Sequence, residues 1–424
     1  MEKIKSIKGT QDLLPADSHK WQFIENKIDE VCRTFGFKEI RTPIFENTAL
    51  FKRGIGELTD VVSKEMYTFN DRSENSLTLR PEMTASVMRS FIQHNLNMDG
   101  GVQKLYYVGA MFRAENVQKG RLRQFHQWGA ELVGSPSPLA DVEIIQLVMS
   151  LFNALGLKNL SLKINSVGDE NCRPAYKEKL KDFLRPKLAE LCTTCQNRFE
   201  TNPMRILDCK NPVCHEKIAG APMMVDNLDE SCQKHFDTVL TTLKKLNIPF
   251  EIDPMLVRGL DYYTKTAFEV VSNDLGSQNS VGGAGRYDLL IEQLGGNKIP
   301  AVGFAVGIER LVIIMDEQKL FEKIQPASPK LFVAGFSETH IQEILPVVSE
   351  LRSKGISVEV ELLGRSLKAQ MREADRLKAE YSVVIGDNEI SSKSAKIKHM
   401  ATGNQEEVPF YSFVSFFDKQ EIVH

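Results

Sequence analysis

The chain has 424 residues, of which 42% are hydrophobic and 26% are charged. At roughly 150 residues per domain, this length predicts two or three domains, and the composition excludes both a small disulfide-stapled scaffold and bulk disorder. The 53 Lys and Arg residues against 56 Asp and Glu residues leave a net charge of −3, which argues against a protein coated in basic charge and allows only local basic patches.

The sequence indicates a cytoplasmic protein with no membrane segment. Its N-terminal residues lack the apolar run of a signal peptide, and the most apolar stretch, residues 299–315, is interrupted by Glu309 and Arg310. Seven cysteines, an odd number, favour a reducing compartment over a disulfide framework.

The first part of the chain predicts helices and strands in alternation. Apolar residues at helical spacing indicate a helix over residues 18–35, which Gly36 ends. Residues 38–47 follow as a strand. A short strand begins at Ser76, and Pro81 is expected in the first turn of the next helix.

A pair of longer strands follows. Residues 106–116 and 123–134 alternate as strands do, and a charged hairpin loop from Asn116 to Arg123 joins them. A helix over residues 141–155 then leads to a strand that begins at Leu160. These patterns predict an antiparallel sheet.

The second half of the chain changes character twice. Residues 170–249 are polar, cysteine-rich and mostly helical, so we expect an insertion that leaves the sheet and returns to it in residues 255–271. Beyond a linker at 325–329, strands alternate with helices, which implies crossovers and a parallel or mixed sheet. The sequence therefore predicts an α+β core on an antiparallel sheet over residues 1–325, with the helical insertion, and a separate α/β domain over residues 326–424.

The richest group of candidate functional residues lies in the predicted hairpin. Arg113, Arg121 and Arg123 lie near Phe125. Guanidinium groups bind phosphate bidentately and an aromatic face stacks on a purine, so a nucleoside triphosphate fits this group. On the arginine count alone, a solvated charged hairpin is the simpler interpretation.

Two further motifs contain polar residues at predicted strand ends. In RPEMT, residues 80–84, Glu82 offers a carboxylate for a cationic amine, although an acid in a first helical turn often serves only the helix dipole. In LVRGLDYYTKT, four polar residues are candidates for ligand binding because they lie in an apolar strand context. The alternative is that they form structural hydrogen bonds. These residues are Arg258, Asp261, Tyr262 and Tyr263.

A glycine-rich motif, SVGGAGRYDLL, begins at Ser280, and AVGFAVGIERL follows it. The motif lacks the spacing of a dinucleotide-binding fingerprint. A tight turn that lets backbones approach closely is the alternative to a binding role.

Together these motifs resemble the class II aminoacyl-tRNA synthetases, and within them the histidyl-tRNA synthetase family. KGTQDLLP is similar to the family's N-terminal signature, and residues 36–69 are similar to motif 1. FRAE with RQFHQWGAE is similar to motif 2, and AVGFAVGIERL is similar to motif 3. LVRGLDYYT and GGAGRYD are similar to the two histidine-specific motifs. Met83 departs from the family's RPEGT, and Ala284 interrupts its glycine run.

The resemblance implies ATP-dependent attachment of L-histidine to tRNA(His) through a histidyl-adenylate, with Mg²⁺ accompanying the β and γ phosphates. It implies two catalytic residues, Arg113 at the α-phosphate and Arg258 between the histidine carboxylate and the α-phosphate, and no metal held by the catalytic site. The implied ATP-binding residues are Arg113, Glu115, Arg121, Phe125 and Arg310. The implied histidine-binding residues are Glu82, Met83, Thr84, Arg113, Gln127, Glu131, Arg258, Tyr262 and Tyr263.

The resemblance also implies a homodimer, in which Pro43 and its neighbours pack across a two-fold axis, and a C-terminal anticodon-binding domain. In that domain four basic residues fall at helical spacing and predict a stripe along the tRNA backbone. Interleaved acids make a merely solvated helix equally compatible with the pattern. The four residues are Arg365, Lys368, Arg372 and Arg376.

Four cysteines of the insertion, Cys192, Cys195, Cys209 and Cys214, have a spacing compatible with a structural zinc site. Reduced thiols in a cytosolic insertion are the alternative.

Two other functions compete with a catalytic synthetase. One is a non-catalytic, histidine-sensing regulatory paralogue, and the other is an accessory binding module. The paralogue is expected to lack the C-terminal domain and to have eroded catalytic motifs, whereas Arg113, Arg258 and Arg310 are present here. The accessory module is not expected to preserve the histidine pocket.

Overall fold

The computed structural model describes residues 3–56, 59, 61–98, 100–209, 211–258, 262–275 and 279–421. Two compact units make up the chain, Met1–Ile324 and Gln325–His424. Asp261, one of the candidate residues, lies outside the described residues. Among the residues described, no helix combines the length and apolar character needed to span a bilayer.

An eight-stranded sheet organises the first unit, with the strand order β1-β5-β6-β11-β10-β9-β7-β8. Its six central strands pair antiparallel, whereas the edge pairs β1·β5 and β7·β8 are parallel. A small antiparallel sheet, β2-β4-β3, lies in the same unit. The strands are β1 (Lys38–Glu39), β2 (Phe45–Asn47), β3 (Tyr67–Asn70), β4 (Ser76–Leu79), β5 (Gln103–Phe112), β6 (Gln124–Val133), β7 (Leu160–Ser166), β8 (Glu251–Ile252), β9 (Thr264–Ser272), β10 (Ser280–Arg286) and β11 (Ala301–Gly307).

Helices flank these sheets and fill the insertion. The first unit contains α1 (Pro15–Thr34), α2 (Thr48–Ile55), α3 (Thr84–Gln93), α4 (Pro138–Ala154), α5 (Arg173–Leu184), α6 (Thr193–Thr201), α7 (Pro212–Lys217), α8 (Glu230–Lys245), α9 (Leu290–Gln293) and α10 (Ile308–Glu317). A π-helical turn covers Val61–Glu65, and short 3₁₀ turns link the helices of the insertion.

The sequence prediction of an antiparallel core is confirmed, with differences at three places. The segment 38–47 forms two short strands instead of one, and β9 begins only at Thr264. Pro81 precedes α3 instead of lying in its first turn. The reason is local: the Glu82 carboxylate accepts hydrogen bonds from the backbone N–H groups of Thr84 and Ala85, and so ends the extended chain there.

One face of the large sheet is apolar, and the other, called the polar face below, carries polar side chains beside the apolar ones of a second cluster. Because side chains alternate along a strand, Trp128 and Ala130 of β6 face the same way as Phe304 of β11 and join the core formed with α1 and α4. Gln127 and Glu131 face the opposite way. That second face is therefore available for a polar site.

The second unit is built on a mixed five-stranded sheet with the order β13-β12-β14-β15-β16. The pairs β12·β13 and β12·β14 are parallel, as the alternation of strands and helices predicts, and a terminal antiparallel hairpin extends the sheet. Its elements are β12 (Leu331–Gly335), α11 (Glu338–Ser353), β13 (Val358–Val360), α12 (Leu367–Arg376), β14 (Tyr381–Ile385), α13 (Asp387–Ser392), β15 (Ser394–His399), β16 (Gln405–Pro409) and α14 (Phe413–Glu421).

Candidate active site

A cavity of about 410 Å³ lies on the polar face of the large sheet. It brings together most of the residues singled out from the sequence. Those lining it are Glu82, Thr84, Arg113, Glu115, Arg121, Phe125, Gln127, Arg258, Tyr262, Tyr263 and Arg310. Met83 and Glu131 are buried behind its wall.

Glu131 is fully buried beneath the floor of the cavity, in contact with three hydroxyl groups, two of which belong to the lining residues Thr84 and Tyr287. Its carboxylate accepts hydrogen bonds from Thr84 Oγ1 at 2.7 Å, from Tyr107 Oη at 3.2 Å and from the hydroxyl of Tyr287. Burial raises the pKa of Glu131 to about 8, and the hydrogen bonds act against that rise. A cationic ligand group placed in the cavity above Glu131 will favour the ionised carboxylate.

Glu82 has a local structural partner as well as a place on the cavity. Its two carboxylate oxygens accept from the backbone N–H groups of Thr84 at 2.7 Å and Ala85 at 2.9 Å, at the start of α3. Burial raises the pKa of Glu82, while these hydrogen bonds counteract the effect. The carboxylate is thus held rigidly at the cavity wall.

Arg258 lies flat against the sheet because no side chain stands beneath it. A Cβ atom on Gly283 would lie 1.4 Å from Nη2 of Arg258. Nη1 donates to Glu269 Oε1 at 3.0 Å, and Ser280 Oγ donates to the same oxygen at 2.7 Å. Buried Nε of Arg258 has no partner among the described residues, so one donor of the guanidinium remains for a ligand.

The arginines of the hairpin, which the sequence suggests for nucleotide binding, are fixed by contacts with neighbouring residues. Arg113 donates from Nε to the Pro81 carbonyl at 2.8 Å, and its guanidinium carbon lies 5.2 Å from the centre of the Phe125 ring. Arg121 pairs with Glu115 at 3.2 Å. Several positive charges therefore converge on one side of the cavity.

Arg310, in the first turn of α10, reaches the same hairpin and also lines the cavity. Its Nε donates to the Gly120 carbonyl at 3.2 Å, and its Nη1 to the carbonyl of Ser280. Gln127 Oε1 is buried and has no partner among the described residues, which marks it as a second polar atom available to a ligand.

Three important residues were not singled out from the sequence. Tyr107 and Tyr287 hold Glu131, and Glu269 holds Arg258. Tyr287 lies inside the glycine-rich motif, which was a usable signal. Tyr107 and Glu269 lie in ordinary alternating strands, and only their partners across the sheet reveal them.

The two departures from the family pattern lie away from the ligand space. Met83 is buried in the apolar cluster that includes Val87 and Tyr107. Ala284 faces the helix-covered side of the sheet, opposite Phe304 and Phe268, whereas its neighbour Gly283 faces the cavity. Neither residue lines the cavity.

An antiparallel sheet with one helix-covered face, an arginine-rich cavity on the other face and a separate α/β unit define a class II aminoacyl-tRNA synthetase. The histidyl-tRNA synthetase family model matches residues 9–311, and a model for an anticodon-binding domain matches residues 324–420. The chain belongs to the histidyl-tRNA synthetase family.

Individual relatives match over nearly the whole chain. A histidine--tRNA ligase of Acetivibrio thermocellus is 48% identical over 408 residues, which cover 96% of this chain and 98% of that protein. One from Chloroherpeton thalassium is 50% identical over 408 residues, covering 96% of each chain. The crystal structure of apo S. aureus histidyl-tRNA synthetase has a TM-score of 0.84 and 39% identity, and the match covers 98% of this chain and 100% of that one.

Replacing Gly283 by alanine tests the packing of Arg258. A methyl group 1.4 Å from Nη2 must push the guanidinium away by about 2 Å to reach ordinary van der Waals contact. A crystal structure of Gly283→Ala is expected to show this displacement with the sheet intact. Gly101→Ala is the matched control, since nothing lies within 4 Å of its Cβ position. An unmoved Arg258 in Gly283→Ala would contradict the interpretation.

Proposed function

We propose that this chain attaches L-histidine to tRNA(His) in two steps, activation of histidine by ATP and transfer to the terminal ribose of the tRNA. The observation that carries the proposal is the convergence of four arginines on one cavity with a buried acidic floor. The arginines are Arg113, Arg121, Arg258 and Arg310. Such a site joins an anionic nucleotide to an amino acid that carries both a carboxylate and a cationic group.

In the activation step, the histidine carboxylate attacks the α-phosphorus of ATP and pyrophosphate leaves. Arg113 binds the α-phosphate, and Arg258 lies between that phosphate and the histidine carboxylate, where negative charge gathers in the transition state. The Arg258 Nε atom, buried and without a partner among the described residues, supports this role. The pairing with Glu269 holds the guanidinium in place before the substrates bind.

ATP binds across the hairpin side of the cavity. Phe125 and Arg310 take the two faces of the adenine, Glu115 its edge, and Arg121 the outer phosphates. The Glu115–Arg121 ion pair must loosen when ATP enters, because both partners then turn to the nucleotide. Mg²⁺ enters with ATP as part of the substrate and neutralises its β and γ phosphates.

Histidine binds on the tyrosine side of the cavity. Glu82 takes the α-amino group together with Thr84 and Gln127, and Glu131 takes the imidazole. The burial of Glu131 supports this assignment, since burial disfavours its ionised form and a cationic imidazolium beside it favours that form. Tyr262 and Tyr263 close the pocket, with ring centres 4.7 Å apart. Met83 contributes from behind the wall, by packing.

A regulatory, histidine-sensing paralogue is not favoured as the function. A sensor needs the histidine pocket but not the nucleotide side, and here Arg113, Arg121 and Arg310 line the same cavity as the tyrosines. The proposed reaction belongs to the cytoplasm, where tRNA, ATP and histidine meet.

The activation step is tested by ATP–pyrophosphate exchange with each of the twenty amino acids. We expect exchange with histidine only. Arg258→Ala is expected to lower the exchange rate by at least about 100-fold while the protein still binds histidine, because one transition-state contact is lost. Gly283→Ala should show a similar loss and Gly101→Ala none. Exchange with another amino acid, or near-normal exchange in Arg258→Ala, would overturn the proposal.

We further propose a homodimer that forms around Pro43. This exposed residue is followed by Ile44 and Phe45, which are about half exposed, and Phe69 lies beside Phe45 with ring centres 6.5 Å apart. An apolar group of this kind at the surface is typical of an interface. Two copies related by a two-fold axis would bury it on both sides.

Light scattering is expected to give twice the chain mass of 47.9 kDa. Ile44→Asp should shift the mass toward the monomer, because a charge would be buried in the interface. Leu362→Asp is the matched control, an exposed leucine in the other unit that should leave the mass unchanged. A wild-type mass of one chain at micromolar concentration would contradict the dimer.

In the anticodon unit, two of the four basic residues of the predicted stripe form no ion pair with any described residue. Of the four residues of the predicted stripe, Arg365 pairs with Glu361 and Glu373, and Arg376 pairs with Glu373. Lys368 and Arg372 of α12 are exposed and form no ion pair with any described residue. We therefore assign the backbone contact to these two.

The double variant Lys368→Glu with Arg372→Glu is expected to raise the KM for tRNA(His) and to reduce the salt dependence of binding by about two counterions, with pyrophosphate exchange unchanged. Lys354→Glu with Lys396→Glu is the control, since it makes the same charge change at other exposed positions of the unit. Equal effects of both double variants would show a general charge effect instead of a stripe.

A further inference from the structure

Four cysteine sulfurs of the insertion meet at one point. Cys192 directly precedes α6 and Cys195 lies in its first turn, while Cys209 and Cys214 lie before and within α7. Their Sγ atoms all lie within 4.8 Å of one another, although up to 22 residues separate them in the chain. Three of the four side chains are buried.

We infer that these four sulfurs form a structural zinc site, in which Cys192, Cys195, Cys209 and Cys214 bind one Zn²⁺ ion. A tetrahedral ion with Zn–S bonds of about 2.3 Å places its sulfurs about 3.8 Å apart. The Sγ atoms of Cys192 and Cys209 are 3.9 Å apart, which matches an edge of that tetrahedron. A disulfide needs about 2.05 Å, so the observed pair is not bonded.

Backbone N–H groups support the sulfurs as thiolates. The N–H of Cys192 points to Cys214 Sγ at 3.2 Å, and the N–H of Asn211 points to Cys209 Sγ at 3.5 Å. Such donors lower the cost of a negative sulfur and hold it in place for a metal. The N-terminus of α6 adds its positive dipole end beside Cys192 and Cys195.

The rest of the insertion explains what a metal would stabilise. Between α5 and α8 it consists of short helices and 3₁₀ turns, whose apolar side chains, such as Phe199 and Ile206, join one buried cluster. A Cys₄ site would join the turn before α6 to the turn before α7, and these are far apart in sequence. Zinc binding would thus contribute directly to the folding of this part of the chain.

A second cluster, Asp169, Cys172, Asp229 and Cys232, does not fit zinc as well. Its two carboxylates already accept backbone hydrogen bonds, since Asp169 Oδ1 accepts from the N–H of Asn171 at 3.0 Å in a turn, and Asp229 Oδ1 caps α8 by accepting from the N–H of Cys232 at 2.7 Å. Only two sulfurs remain. This cluster therefore serves as the internal control.

The zinc cluster lies next to the proposed active site. Asp208, the neighbour of Cys209, lines the cavity, and Arg205 Nη1 donates to the backbone carbonyl of Arg258 at 2.9 Å. By holding Cys209, the metal would keep this segment against Arg258. This consequence, unlike the metal site itself, rests on the proposed function.

Metal analysis of the full chain, purified under reducing conditions from cells supplied with zinc, tests the site. We expect about one zinc ion per chain. Cys209→Ser and the double variant Cys192→Ser with Cys195→Ser should retain less than about a tenth of it, whereas Cys172→Ser should retain all of it. Replacement of zinc by Co²⁺ in the wild-type protein should give the visible absorption of tetrahedral cobalt bound to thiolates.

Several outcomes would overturn the assignment. They are a wild-type protein without zinc, iron in its place, or equal loss of zinc from Cys172→Ser and Cys209→Ser. The wild-type measurements do not depend on whether any variant folds. As a further consequence, removal of zinc by a chelator should lower the melting temperature and raise the KM for histidine in pyrophosphate exchange, and zinc should restore both. An unchanged KM with a lowered melting temperature would refute the link to Arg258 and leave the metal site standing.

Discussion

The site depends on close approach between polar side chains and the backbone of the sheet. Arg258 lies where a side chain on Gly283 would be, and Glu131 lies where one on Gly303 would be, with Cβ positions 1.4 and 1.7 Å from the polar atoms. Gly129 lies under Tyr107 in the same way. Glycine is needed at these positions because any Cβ would occupy the space of the guanidinium, the carboxylate or the ring. The glycines of β6, β10 and β11 thus create the cavity.

The second constraint on the site is that buried charged groups need hydrogen-bond or ion-pair partners. The cavity places a carboxylate under three hydroxyl groups and a guanidinium beside Glu269, so each ionisable group has a partner before a substrate arrives. Nε of Arg258 and Oε1 of Gln127 are buried and have no partner among the described residues, and both residues line the cavity. A site of this kind rejects an amino acid that leaves its buried polar groups unpaired by about 10⁴-fold or more.

The core and the insertion differ in what stabilises them. The core buries Trp128 and Phe304 between the sheet and two long helices, and this apolar contact needs no further support. The insertion has short elements whose ends meet at four sulfurs. A metal there would stabilise the segment that contains Arg205, which donates to the backbone carbonyl of Arg258.

The sequence by itself determined the family, the order of the two units and eleven residues that line the cavity, because sequence motifs record residue types at fixed spacing. It also predicted the long hairpin and α1, whose periodicity is local. It misplaced Pro81 in α3 and treated residues 38–47 as one strand, because side-chain capping and pairing partners decided those boundaries.

Only the tertiary structure decided which residues support the reacting groups. Tyr287 lies 156 residues from Glu131 in the chain, and Glu269 lies opposite Gly283 on the neighbouring strand. The tertiary structure also showed that Arg365 and Arg376 are paired with acids, whereas Lys368 and Arg372 form no ion pair within the described part of the chain. The physical reason is that sheet register and helix packing set these distances, and both depend on contacts between residues remote in sequence.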